Sequence, residues 1–130
     1  MQITLLRFAL YADAAATAAT GLLMAGAAGM LAQVTGIPAA FSLPVGLGLV
    51  AFAAFVGWVA WRAPTSRLLA MLVVGVNALW VVGSIIVLAT GLFPLTLFGT
   101  AFVIVQAVAV GALALLQEAG LVAAGRRALA

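Results

Sequence analysis

Apolar residues run almost without interruption through four stretches of this chain, about 8–32, 43–61, 68–89 and 95–116, and polar or turn-forming residues gather between them. A hydrocarbon core is crossed by roughly 20 apolar residues in a helix, so each stretch has a spanning length. Gln33, Thr35, Gly36 and Pro38 supply turn chemistry after the first stretch. Residues 62–67 form a hinge between the second and third, where Thr65 or Ser66 can cap the next helix. Thr90, Gly91 and Pro94 close the third. Pro44 suits the first turn of the second helix. Hydrocarbon offers no partner to a free backbone amide or carbonyl, so every span is expected to be helical. The expected fold is all-α: one domain over residues 1–130, an antiparallel bundle of four transmembrane helices. Residues 117–130 form a tail that prolongs the last helix, lies at the interface or frays.

Composition supports the same picture. The chain is 68% hydrophobic and 5% charged, whereas a soluble domain is about 45–50% apolar and about 25% charged. Arg7 precedes the first long run, Arg62 and Arg67 flank the hinge, and Arg126 and Arg127 lie in the tail; the other two connections carry no charge. An even number of spans puts all five arginines on one face, which the positive-inside rule makes cytoplasmic. The expected location is a bacterial inner membrane with both termini cytoplasmic. Trp58 and Trp61, beside Arg62, fit an interfacial aromatic belt. The run 8–32 is longer than the ~7–15 residues of a secretory h-region, so a retained span is expected. The pI near 11.4 does not imply nucleic acid. Five arginines without a larger basic cluster than Arg126–Arg127 make no phosphate-tracking stripe, and membrane lipids are the expected partners.

Asp13 is the only acid inside a span. An intramembrane carboxyl costs about 2.5–3.5 kcal/mol on insertion scales and is a functional candidate by default. It lies about 9 Å beyond Arg7 along a helix axis, not at the midplane. Two readings compete: a paired acid that fixes helix packing, with Arg67 as a partner if the first and third helices touch, and a proton- or cation-binding acid. Thr17, Thr20 and Met24 continue its stripe at helical spacing. Asn77 and Ser84 share a face of the third helix, and Gln106 lies deep in the fourth. Two buried carboxamides need partners, and each is the nearest answer to the other; they are either interhelical pins or the lining of a ligand site. Trp80 can join them through its indole N–H. Gly21, Ala25 and Gly29 form a small-residue row on the first span, and Gly75 and Gly83 lie on the third. Such rows suit close helix approach within the bundle, in a homo-oligomer or in a larger membrane complex. Glu118 reads as a solvated interfacial charge.

There is no cysteine or histidine, no phosphate-binding loop and no nucleophile–base pair. No enzyme activity, cofactor or metal is expected. The stretches Leu6–Ala14, Thr20–Leu23 and Val76–Trp80 resemble a group of small, uncharacterised bacterial four-span integral membrane proteins. That resemblance covers most of the chain and implies the same four-span fold, without an activity. The function expected is that of a non-enzymatic membrane protein, an accessory or interaction subunit or a binder of lipid or another apolar ligand. The alternative is a small transporter or proton-coupled carrier that uses Asp13.

Overall fold

The computed structural model describes the backbone of residues 2–62 and 66–129, and the side chains of 5–62 and 66–126. Ala63, Pro64 and Thr65 of the hinge and the Arg127 side chain lie outside them. The described chain forms α1 (Gln2–Gly26), α2 (Ala28–Thr35), α3 (Ala39–Trp61), α4 (Arg67–Thr90) and α5 (Leu97–Leu129). Four of these are long and apolar enough to cross a membrane, and the protein is an all-α bundle.

The first apolar stretch forms two helices rather than one. It breaks at Ala27, after Gly26, although amides of Ala27 and Leu31 still bond to the carbonyls four residues back. The short α2 touches both α3 and α5. Gly36 ends α2 in the left-handed region, with φ +82°. Because α3 begins at Ala39, four residues earlier than the hydropathy suggests, Pro44 lies inside the helix rather than in its first turn. There it withholds a donor from the Ala40 carbonyl. The Pro38 carbonyl starts the helix instead, accepting from the amides of Phe41 and Ser42. Ser66 caps α4 by accepting from the Leu69 amide.

Helix α1 is the hub. It packs against α3 on one side and α5 on the other, and α4 packs mainly on α5. The hinge therefore does not yield a tightly packed α3–α4 hairpin, contrary to the expectation for neighbours joined by a short connection. The order around the bundle is α3, α1, α5, α4, with a weak seam where α3 and α4 approach. Glycines permit the closest crossings. A Cβ on Gly21 would lie 2.8 Å from the Gly46 carbonyl oxygen, so α1 and α3 meet backbone to backbone. Gly120 does the same for α5 against Leu6. Gly29, Gly75 and Gly83 have no atom near enough to exclude a Cβ, so those three do not serve packing inside the bundle.

Both ends are fastened. At the arginine end, Arg7 donates from Nε to the Ala60 carbonyl and from Nη2 to that of Trp61, each 3.1 Å, finishing the C-terminus of α3. Arg67 donates to the Leu121 carbonyl, joining α4 to α5, and the Arg62 guanidinium lies 5.0 Å from the Trp58 ring centroid. At the opposite end, Thr96 donates from its amide to the Thr35 carbonyl and from its hydroxyl to that of Val34. The two uncharged turns thus bind each other directly. The tail is helical: α5 continues to Leu129, about 50 Å in all, well beyond a hydrocarbon core of ~30 Å.

Candidate functional site

Three helices each turn a polar stripe inward. Asp13, Thr17 and Thr20 come from α1, and Asn77, Trp80 and Ser84 from α4. Gln106 and Gln117 come from α5, eleven residues apart and hence three turns along one face. These side chains do not form one cluster. They divide into two.

The first is centred on Asp13, which is fully buried. Its Oδ1 accepts from the Thr17 hydroxyl at 3.0 Å. Its Oδ2 accepts from Asn77 Nδ2 at 2.6 Å and from Gln117 Nε2 at 2.8 Å. Asn77 Nδ2 also donates to Gln117 Oε1 at 3.2 Å. Three donors thus converge on the two Asp13 oxygens. Arg67, the arginine offered by the sequence as a partner, is not used: it is turned to the Leu121 carbonyl. The reason is geometric. Helices α1 and α4 do not touch through their backbones, and the Asn77 side chain reaches across the gap where an arginine at the helix start would have to fold inward.

The second cluster lies farther from the arginine end. Trp80 Nε1 donates to Gln106 Oε1. Gln106 Nε2 donates to Ser84 Oγ at 3.0 Å and to the Val103 carbonyl at 2.9 Å. Ser84 donates to the Trp80 carbonyl. Asn77 and Gln106 are therefore not partners of each other. Each finds its partners at its own depth, because Gln117 joins Asn77 at the Asp13 level and Trp80 and Ser84 meet Gln106 further along. Gln117 is hard to single out from the sequence because it stands beside Glu118 at the edge of the apolar run. Its eleven-residue offset from Gln106 is the one clue. Glu118 itself is exposed, one position round the helix.

Two chambers lie along these clusters. The smaller, about 80 Å³, is lined by Asp13, Thr17, Thr20, Asn77, Trp80 and Gln106 among the polar residues, with Phe52 and Leu49 of α3 among the apolar ones. The larger, about 490 Å³, shares Thr20, Val76, Trp80 and Gln106 with the first and is otherwise mostly apolar. Phe41 and Phe93, with ring centroids 4.8 Å apart, line its end near the uncharged turns. Leu79, Ile86 and Leu92 in its wall are more than half exposed, so it opens on the outer surface of the bundle. In a bilayer that surface faces acyl chains. The arrangement can receive an apolar body from the side and present polar groups to one end of it.

No protein-family model, no curated protein and no solved structure matches this chain.

Proposed function

We propose that this integral membrane protein is a non-enzymatic binder of a lipid-like ligand, acting as an accessory subunit, with its arginine-bearing end cytoplasmic. The observation that carries this reading is the side-opening 490 Å³ chamber. Ligand sites are concave, mostly apolar and about 300–1,000 Å³, with a few polar groups at one end. A bundle whose polar residues were only packing pins would instead be filled. Purification in polymer discs cut from native membranes, followed by native mass spectrometry, tests this. The wild type should retain a stoichiometric lipid-like molecule. Gly83 lines the chamber and has room for a side chain, so Gly83→Trp should lower retention about tenfold, equivalent to 1.4 kcal/mol of binding. A wild-type protein stripped of any such molecule, or equal retention by Gly83→Trp, would refute the reading.

A second reading, a proton-coupled carrier, has one feature in its support. The smaller chamber brings an intramembrane carboxyl within the wall of a cavity, and such residues commonly mark proton or substrate paths. For a proton-coupled carrier, Asp13→Asn should abolish proton-linked flux in liposomes. Undiminished flux would remove Asp13 from any transport mechanism.

A further inference from the structure

The hydrogen-bond inventory of the two chambers is one-sided. Among the described residues, every side-chain donor hydrogen in their walls already has a partner. The Thr17 hydroxyl is given to Asp13, the Thr20 hydroxyl to the Ala16 carbonyl, and the Ser84 hydroxyl to the Trp80 carbonyl. Asn77 has two amide hydrogens, and it donates to Asp13 and Gln117. Gln106 has two, and it donates to Ser84 and Val103. The Trp80 indole N–H goes to Gln106. The acceptors are not used up. Nothing among the described residues donates to Asn77 Oδ1 or to the hydroxyl oxygens of Thr17 and Thr20. Asp13 Oδ1 accepts one bond where a carboxylate oxygen can take two.

A group entering the smaller chamber therefore meets acceptors and a carboxylate, with no hydrogen left to offer it. A phosphate, a carboxylate or a carbonyl would be desolvated there without a donor, which is costly. A group rich in donors and positively charged is complemented. Phe52 and Trp80 add aromatic surface, which also attracts cations. The adjoining larger chamber is mostly apolar and open to the lipid side.

We propose that the site takes a lipophilic amine, its ammonium head against Thr17, Thr20 and Asn77 with the Asp13 carboxylate directly behind them, and its apolar tail in the larger chamber. This rests on the reading that the chambers bind a ligand, and it names the ligand's class. Anionic and zwitterionic phospholipid head groups are disfavoured by the same accounting, because their phosphates need donors.

Equilibrium dialysis tests it, using the full chain in phosphatidylcholine nanodiscs with protein-free nanodiscs as the partition control. Three probes share one tail: dodecylamine, dodecanol and dodecanoate, all at pH 7. Dodecylamine should bind in excess of partition, at least about tenfold more tightly than dodecanoate. Asp13→Asn should lose most of that preference. Should that variant fail to fold, Thr20→Leu narrows the junction of the chambers without touching the Asp13 bonds, and it should weaken dodecylamine binding about tenfold. Equal binding of all three probes, or tighter binding of dodecanoate, would overturn the amine assignment while leaving a lipid-binding chamber in place. Saturable binding of none of them would overturn both. Unaltered amine preference in a folded Asp13→Asn protein would overturn the assignment of Asp13.

Discussion

Gly36→Val should destabilise the bundle by about 3 kcal/mol or more, and Gly99→Val by a comparable amount. Gly36 sits at φ +82°, where a β-branched side chain is strained, and left-handed backbone alone costs about 1–2 kcal/mol for an L-residue. Its Cβ would also overlap the Pro94 carbonyl oxygen of the facing turn. Gly99 has ordinary backbone angles, but its Cβ would overlap the Thr35 carbonyl. Backbone atoms do not step aside as a flexible side chain does, and forcing extra carbon into a packed site costs about 1–3 kcal/mol. Thr35 and Thr96 join the two uncharged turns through the same strip of main chain. Separating them would open the larger chamber at its Phe41–Phe93 end. Gly29→Val and Gly75→Val are the controls, since a Cβ there meets nothing within 4 Å; they should stay within about 1 kcal/mol of wild type. Unfolding in mixed detergent–dodecyl sulfate micelles reads all four. Equal midpoints for Gly36→Val and Gly29→Val would show that the two turns do not hold each other.

The second large effect is expected at Asn77. Asn77→Leu removes one donor to Asp13 and one to Gln117, leaving a buried carboxylate with fewer partners. A hydrogen bond to a charged group contributes about 1.5–3 kcal/mol, so a loss of about 2 kcal/mol is expected. That exceeds the ~0.6 kcal/mol average for neutral interhelical bonds in membranes, because the acceptor here is a carboxylate. Gln106→Leu breaks the neutral cluster and should cost less, about 1 kcal/mol. The informative variant is the double replacement Asp13→Leu with Asn77→Leu. With the buried acid gone, the donor is no longer missed, and the double variant should be more stable than the sum of the single losses implies by about 1–2 kcal/mol. Strict additivity would mean that Asp13 and Asn77 do not act as one unit.

Much of this was legible along the chain. Hydropathy found the four spans, because a segment that must satisfy its backbone internally carries its own length and polarity. The helix ends at Thr90 and Gly91, and the cap at Ser66, followed from local chemistry. The stripes Asp13–Thr17–Thr20 and Asn77–Ser84 were visible because helical periodicity is a property of one helix. The partners of those stripes were not. Asn77 and Gln106 were expected to meet; instead Asn77 meets Asp13 and Gln117, and Gln106 meets Trp80 and Ser84. Pairing depends on the relative depth and rotation of separate helices, and no single-helix pattern contains either. The same holds for the glycines. Gly21, Gly29, Gly75 and Gly83 look alike in sequence, yet Gly21 alone of the four faces a neighbouring backbone.

What residue order determined by itself is the solvent this protein requires: hydrocarbon, four times crossed, with the arginines kept to one end because charge is costly to carry through lipid. Tertiary structure decided the rest. It placed α1 between α3 and α5, left α4 beside a weak seam with α3, and brought Gln117 up to Asp13. Among the described residues it also gave every side-chain donor in the chamber walls a partner within the protein. The bonds of Asn77 and Trp80, and that of Gln106 to Ser84, are distances of about 3 Å between separate helices, and such distances exist only after the helices have packed.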